Sequence, residues 1–392
     1  MAAREIPATA AQSAAAPSPA ARRLYFPYID AARALAVTGV LLCHLAANLK
    51  WEPLLSPRMH HVLSNGWMGV DLFFVISGFV ISLSLIRNIE DFGIHGYKKP
   101  YFKSRLARIV PLYFLTSWCF LVLVQPESFN NSAGALWTNI LSHAFFVHHF
   151  STETSGALNG PTWTIAIEMQ FYVFIAIVIK WLPLRRPLLV CFLAILIALA
   201  WRFGAWLTFT PGLEVWDKII RVDQLPGRLD AFGLGYAVAL IVWNPRHPLH
   251  RYFQPGGKNT LLWFAVAMIA SAIAWKAPQT QPDYWENMIM VVFFRTILVA
   301  AFAAWVCFFI VLWNSKRLIA ILFPVLYVGR ISYGVYLWHT LVISSILKTG
   351  VTHPFRAGVL ITILVLVVSS FTWHFLEQPL IQKYRDKPSP AK

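Results

Sequence analysis

The feature that most constrains this chain is a series of long apolar stretches that recurs along most of its length. A helix needs about 20 apolar residues to cross the ~30 Å hydrocarbon core of a bilayer. Stretches of this kind lie near 31–49, 67–86, 106–125, 163–182, 187–207, 229–244, 260–275, 289–313, 319–346 and 356–376. The pattern predicts an all-α fold, a polytopic transmembrane helical bundle of about ten spans.

Composition agrees with a membrane protein, because 58% of the residues are hydrophobic and only 13% are charged. Soluble proteins carry about 25% charged residues. This argues against a soluble enzyme, a disordered chain and a secreted disulfide scaffold. The four cysteines lie inside apolar runs and form no CxxC pair, so we expect no disulfide and no metal site. They are Cys43, Cys119, Cys191 and Cys307.

The net charge of +16 is distributed in short basic clusters between the apolar runs. This distribution is typical of membrane orientation, so we expect no nucleic-acid partner. If both termini are cytoplasmic, pairs such as Arg185/Arg186 and Lys316/Arg317 face the cytoplasm, as the positive-inside rule requires. Counting the short run 136–149 as a further span would invert these loops. We therefore interpret it as an interfacial or re-entrant segment.

The domain organisation follows from the same pattern. Residues 1–24 are rich in Ala, Pro and Ser and lack an apolar core, so they are predicted to be a flexible cytoplasmic tail and not a signal peptide. Residues 25–380 are predicted to form the transmembrane domain, and 381–392 a second cytoplasmic tail. No clear internal repeat is present.

Ionisable residues inside apolar spans cost ~2.5–3.5 kcal/mol each on insertion scales, and each is therefore a functional candidate. In the first span, Arg33 and His44 are eleven residues apart, which is three helical turns plus ~20°. Both should project from one face, ~16 Å apart along the axis. This predicts a polar shaft with a cation near its cytoplasmic end and an imidazole deeper down. Alternatively, Arg33 snorkels to the surface and His44 bonds a neighbouring helix.

Two carboxylates enter apolar spans from the predicted outer side. Asp71 could orient and polarise a histidine, as in a catalytic dyad, or it could cap its helix. Glu168 could be a second orienting group, contact an acceptor hydroxyl, or pair with an arginine of another span. Arg105 and Arg108 share one helix face at the cytoplasmic surface, which suits phosphate capture but also ordinary membrane anchoring.

In this order, these blocks resemble the acyltransferase type 3 family of membrane acyltransferases. The resemblance covers about residues 25–380 and rests on residues 28–33 with His44, 69–79, 105–111, 163–172, 332–339 and 377–379. The family commonly has Gly-Leu at the positions of Ala31 and Ala32, and a serine within 163–168. Neither departure removes a reactive group.

The resemblance implies an enzyme of the bacterial inner membrane that transfers an acyl group, usually acetyl. The donor would be acetyl-CoA or another acyl-CoA used as co-substrate, and the acceptor a hydroxyl of a glycan or a glycosylated small molecule. His44 would be the catalytic group, and Arg33, Arg105 and Arg108 would bind the donor. We expect Asp71 or Glu168 to fix the His44 tautomer.

Further side chains near these blocks are expected to bind the substrates, and they are Trp163, Gln170, Tyr172 and His339. The lipid bilayer is an expected partner, no metal is expected, and a homodimer is left open. The alternative function is a proton-coupled transporter of a small solute or sugar, which would use the same buried charges as a proton relay. The sequence does not identify the acceptor or the acyl chain length.

Overall fold

The computed structural model describes residues 26–130, 132–280, 283–350 and 353–384, and these residues form helices and turns without any β-strand. The helices are α1 (Ile29–Asn48), α2 (Pro57–Ser64), α3 (Gly69–Gly96), α4 (Lys98–Leu123), α5 (Ala133–Ala144), α6 (Thr162–Val178), α7 (Pro187–Trp206), α8 (Val215–Val222), α9 (Leu229–Trp243), α10 (Gly257–Thr280), α11 (Arg295–Val311), α12 (Lys316–Ile321), α13 (Phe323–Arg330), α14 (Ser332–Leu347), α15 (Pro354–Thr372) and α16 (Gln378–Lys383). The predicted all-α class is confirmed.

Local chemistry explains where several of these helices begin. Helices α7 and α15 start with Pro187 and Pro354, because proline fixes a helical φ where no N–H partner is needed. Helix α5 is capped by Ser132, whose hydroxyl accepts from the Ala135 N–H at 3.3 Å. This 12-residue helix is not among the candidate spans, in agreement with the interfacial interpretation of 136–149.

Seven helical stretches of the described chain are long and apolar enough to cross a membrane. They are Ile29–Asn48, Pro57–Gly96, Lys98–Leu123, Pro187–Trp206, Gly257–Gln279, Met290–Val311 and Pro354–Lys383. An eighth arises if α8 and α9, which are bent by 81°, count as one span. Helix α6 is apolar but shorter. The structure thus supports a polytopic membrane bundle, while the count of ten spans and the cytoplasmic termini stay predictions.

The structure corrects the predicted continuous span at 319–346. This stretch is divided into α12, α13 and α14, with breaks at Leu322 and Ile331. Pro324 lies in the first turn of α13, where it prevents α12 from continuing. Helix α13 then packs on α1 so closely that a Cβ added at Gly329 would lie 1.8 Å from the Asp30 carbonyl oxygen. Apolar character alone does not reveal such breaks.

The domain boundaries stay predictions. The predicted tail 1–24 lies outside the described residues. At the other end, α16 continues to Lys383, so the tail predicted from residue 381 begins within a helix.

Helices α3 and α9 cross in direct backbone contact at the centre of the bundle. A Cβ added at Gly78 would lie 2.4 Å from the Phe232 carbonyl oxygen, and one added at Gly235 would lie 2.3 Å from the Val75 carbonyl oxygen. Small residues permit this approach. Beside the crossing, Phe232 stacks on Phe171 of α6 with ring centroids 4.1 Å apart. This core fixes α3 and α6, which carry two walls of the site described next.

Candidate active site

A cavity opens between α1, α3, α4, α6 and α14, with about 720 Å³ of space between its walls and at its mouth. Val70 and Ile81 of α3 both line it, and eleven residues of helix correspond to ~16 Å along the wall. Its polar lining consists of Arg33, Ser77, Arg105, Arg108, Thr164, Glu168, Tyr172, Ser332, Tyr333 and Tyr336. The cavity is therefore long and narrow, and its lining contains both polar and apolar residues.

Three arginines predicted to bind a donor come together on the cavity wall. Arg33 comes from α1, and Arg105 and Arg108 come from α4. Arg105 is buried, donates to the Val80 carbonyl at 3.4 Å and lies 5.6 Å from the centroid of the Tyr172 ring. The lining residues include three guanidinium groups and a single carboxylate, so the cavity has an excess of positive charge that suits an anionic ligand.

The carboxylate on the wall is Glu168. The Tyr172 hydroxyl donates to its Oε1 at 2.7 Å, and Arg33 is near enough to interact with it electrostatically. Glu168 therefore bonds a hydroxyl group of its own helix, and the roles considered for it from sequence stay predictions. Tyr172 also lines the cavity, as expected of a substrate-binding residue.

Another wall of the cavity is formed by Tyr336. Its hydroxyl lies 2.8 Å from Thr164 Oγ1 and donates to the Pro161 carbonyl at 3.2 Å. The two bonds join α14 to the start of α6. The Tyr336 ring also contacts the His339 ring, with centroids 5.8 Å apart. Tyr336 therefore touches the cavity on one side and a buried imidazole on the other.

His339 in turn contacts His44, the predicted catalytic residue. The two rings are 4.9 Å apart and nearly perpendicular, at 76°. His44 Nδ1 lies 3.0 Å from the Val40 carbonyl oxygen, and His339 Nδ1 lies 2.6 Å from the Tyr336 carbonyl oxygen. A carbonyl only accepts, so each Nδ1 carries the proton and each Nε2 presents a lone pair.

The expected open shaft from Arg33 to His44 is not continuous. Arg33 lines the cavity, whereas His44 does not, and the side chains of Tyr336 and His339 link the cavity to it. His44 is half-buried and lies four residues before the end of α1, ~6 Å along the axis.

Asp71 has partners other than those expected. It is fully buried and forms ion pairs with Arg228 and Arg295, the latter at 3.4 Å. Both arginines also pair with Asp223, at 2.7 and 3.4 Å. The expectation that Asp71 orients His44 is therefore corrected, because its charge is offset by two guanidinium groups of other segments. The Val40 carbonyl, and neither Asp71 nor Glu168, holds the His44 Nδ1 proton.

Three predicted substrate-binding residues do not line the cavity: His339, which lies behind Tyr336, and Gln170 and Trp163. Gln170 donates to the Phe146 carbonyl at 3.1 Å and approaches His149, so its amide is used between helices. Trp163 is half-buried against the hydrophobic core. A substrate-binding role for these three stays a prediction without a contact that supports it.

Thr164, Ser332 and Tyr336 line the cavity but were not predicted from the sequence. Helical spacing could have identified the two that lie on α14. Ser332, Tyr336 and His339 are spaced by four and then three residues, which places them on one face of α14. Glu377 is a further buried carboxylate that was not predicted from the sequence. It is 2% exposed, lies in a π-helical turn, Trp373–Glu377, and has no hydrogen-bond partner for its carboxylate among the described residues.

The described residues contain no group of three or more His, Cys, Asp or Glu side chains that could hold a metal ion. The four cysteines are free.

Comparison with known proteins places these features in context. Residues 26–374 match the model of Acyl_transf_3, described as an acyltransferase domain. The chain is 27% identical over 380 residues to the peptidoglycan O-acetyltransferase OatA of Listeria monocytogenes, covering 91% of this chain and 56% of that protein. It is 25% identical over 385 residues to the O-acetyltransferase OatA of Staphylococcus aureus, covering 92% of this chain and 58% of that one.

The chain spans little more than half the length of the curated relatives it matches. No solved structure matches it.

Proposed function

We propose, from the premise that this chain belongs to the acyltransferase 3 family, that it transfers an acetyl group from acetyl-CoA or another acyl-CoA to a hydroxyl of a glycan. Peptidoglycan is the acceptor we favour, because the relative from Listeria monocytogenes is named for it. The observation that carries the proposal is a cavity with three arginines on its wall and a path through Tyr336 and His339 to His44.

The arginines account for the choice of donor. Arg105 and Arg108, with Arg33 from the neighbouring helix, would hold the phosphates of CoA through charge-assisted hydrogen bonds worth ~1.5–3 kcal/mol each. The apolar lining between them and Tyr336 would accommodate the pantetheine arm. The length of the extended pantetheine arm is similar to the ~16 Å over which the cavity follows α3.

The thioester must pass Tyr336 to approach His44. In this structure, the Tyr336 hydroxyl is bonded to Thr164 and to the Pro161 carbonyl, and the ring fills the space next to His339. Donor binding would have to turn this ring aside. A closed ring in the absence of donor keeps water from the imidazoles and limits wasteful hydrolysis.

His44 would supply the chemistry with the lone pair on Nε2. As general base, it takes the proton of the acceptor hydroxyl while the hydroxyl oxygen attacks the thioester carbonyl carbon. The carbon–sulfur bond breaks, and the CoA thiolate takes up the proton to leave as the free thiol. Alternatively, Nε2 attacks the thioester carbonyl carbon and the CoA thiolate leaves. The acceptor oxygen then attacks the acyl group, the acyl–Nε2 bond breaks, and the acceptor proton goes to the thiolate. In both cases, the Val40 carbonyl fixes the reactive tautomer.

Positions along α1 support a transfer across the bilayer. Arg33 is four residues from the start of α1, and His44 is four residues from its end. With the predicted orientation, donor would enter from the cytoplasm of a bacterial inner membrane, and the glycan would approach from outside. The basic clusters between the spans support this orientation.

The proposal is tested with purified protein in liposomes that contain labelled acetyl-CoA and are surrounded by soluble peptidoglycan fragments. We expect release of CoA thiol and label on the fragments, both abolished by His44→Ala at unchanged levels of folded protein. Unchanged transfer by His44→Ala would refute the role of His44. Solute flux without thiol release would favour the transporter instead.

A further inference from the structure

Among the described residues, no carboxylate is hydrogen-bonded to His44, although a carboxylate usually supports a catalytic imidazole. The His44 ring has a hydrogen bond to the Val40 carbonyl and a ring contact with His339. A carbonyl can hold a tautomer, but it carries no negative charge to balance the imidazolium that forms when His44 takes a proton. Some other group is needed to stabilise that proton.

His339 is the group in position to do so. It is 1% exposed, and its Nε2 has no hydrogen-bond partner among the described residues. Because Nδ1 donates to the Tyr336 carbonyl, Nε2 can only accept a hydrogen bond. A buried acceptor without a donor is costly, which makes it a candidate for a functional role.

The elements packed around His339 present few other ionisable groups to it. His44 of α1 and Tyr336 of α14 are in ring contact with it. On neighbouring segments, α15 presents Ser369 to Gly334, and the loop before α6 presents the uncharged Asn159, which bonds Thr340. Helix α4 contributes the Ile109 carbonyl, which accepts from Tyr333. The arginines of α1 and α4 line the cavity beyond Tyr336.

We propose that His44 and His339 act as one base made of two imidazoles, in which the proton taken from the acceptor hydroxyl is shared between their Nε2 atoms. The inference rests on the proposed function and adds a second residue to it. With both Nδ1 protons held by backbone carbonyls, each of the two contacting rings keeps a lone pair on Nε2. One added proton satisfies both atoms when a small rotation of the rings brings the two Nε2 atoms together.

The proton balance of the transfer step is complete with these groups. The acceptor O–H bond breaks, its proton moves to His44 Nε2 and is shared with His339, and the new oxygen–carbonyl bond forms. The carbon–sulfur bond then breaks, and the thiolate of CoA receives the proton. Both imidazoles end neutral, as they began.

Two substitutions separate a proton-sharing role from a structural one. His339→Gln keeps an oxygen that can accept near the position of Nε2 but has no basicity. His339→Asn keeps an N–H near the position of Nδ1 for the Tyr336 carbonyl but loses the distal acceptor. If His339 shares the proton, both variants lower kcat by ~10²-fold or more and leave the KM for donor and acceptor near wild type. The acidic limb of the pH–rate profile also moves.

A matched control is His250→Gln. His250 also holds a backbone carbonyl through Nδ1, that of Ile241 at 2.9 Å, and its Nε2 approaches Gln254, but it lies outside the site. We expect this variant to retain wild-type rate and profile. Thermal unfolding of each purified variant shows whether it is folded. If one of the two His339 variants does not fold, the other is enough for the test.

The outcomes distinguish this inference from the function on which it rests. Transfer that survives His44→Ala removes the proposed function itself. If His44→Ala is inactive while folded His339→Gln keeps wild-type kcat and pH profile, only the two-imidazole base is overturned. A rise in acceptor KM with unchanged kcat would also overturn it, because His339 would then only bind substrate.

Discussion

The hydroxyl oxygens of Tyr336 and Thr164 lie 2.8 Å apart and join α14 to α6 where the cavity meets the buried histidines. The Pro161 carbonyl oxygen lies 3.2 Å from the Tyr336 hydroxyl oxygen and 3.0 Å from Thr164 Oγ1, so two hydroxyl protons serve the three contacts of this group. Tyr336 is thereby held in the position that separates the cavity from His339. Its hydrogen bonds determine how easily the ring can move.

Tyr336→Phe should increase wasteful hydrolysis of the donor. The variant keeps the ring but loses hydrogen bonds worth ~0.5–1.5 kcal/mol each, so an open ring becomes up to ~10-fold more populated. Thiol release from acetyl-CoA in the absence of acceptor should rise by a similar factor. Tyr97→Phe is the control, because it loses a comparable buried bond to the Ala176 carbonyl away from the cavity. Equal rates of acetyl-CoA hydrolysis by wild type and Tyr336→Phe would contradict the proposal that this ring shields the histidines.

Replacing both Arg105 and Arg108 with Gln should weaken donor binding and leave the fold intact. Two charge-assisted hydrogen bonds are lost, which corresponds to a Kd for CoA at least ~10²-fold higher. Equilibrium binding of labelled CoA to protein in detergent measures this. The matched control replaces Arg185 and Arg186, two exposed arginines in the α6–α7 connection, and should bind normally. An unchanged Kd in the cavity variant would remove these arginines from the donor site.

Asp71→Asn should lower stability, because Asp71 balances the buried charges of Arg228 and Arg295. Removing one partner of a buried ion pair costs ~3–5 kcal/mol. We expect a clearly lower unfolding temperature in detergent, against little change for the exposed control Glu127→Gln. Stable protein that has lost transfer activity would instead restore an orienting role for Asp71.

The buried histidines of the α5 region should make stability depend on pH. His143 and His149 lie outside the candidate spans, and burial lowers the pKa of each to about 4. Each is neutral in the folded protein, whereas in the unfolded chain it binds a proton near its ordinary pKa of ~6.5. The two histidines contribute fully to the free energy of unfolding above pH ~6.5. This contribution decreases as the pH falls towards 4, by up to ~1.4 kcal/mol per pH unit for each histidine.

Unfolding temperatures measured between pH 8 and 4.5 test this dependence. The variant with His143→Gln and His149→Gln should show a shallower slope than wild type, and the exposed control His95→Gln should not. Parallel slopes for all three proteins would mean that these histidines do not titrate on unfolding.

Helical spacing predicted part of the site correctly, although it did not show that Tyr336 and His339 separate His44 from the cavity. Helical spacing put Arg105 and Arg108 on one face, and both reach the same cavity as Arg33, Glu168 and Tyr172. Spacing within one helix depends only on its geometry, which the sequence determines locally.

Partners on other helices could not be predicted in this way. The pairing of Asp71 with Arg228 joins residues 157 positions apart, and the sequence shows only that such a carboxylate requires a cation. The Val40 carbonyl that holds His44 belongs to the backbone and has no sequence signature. The break at Leu322 depends on Pro324 and on the close fit of α13 to α1, which an apolar pattern conceals.

We propose above all that the acyl donor enters between the arginines and reaches His44 past Tyr336. A cryo-electron microscopy structure of the protein with a non-hydrolysable acetyl-CoA thioether tests it most directly. We predict phosphate density on Arg105 and Arg108, a displaced Tyr336 ring, and the acetyl group within hydrogen-bonding reach of His44. Density for the analogue outside this cavity, or an acetyl group separated from His44 by an unmoved Tyr336, would contradict the claim.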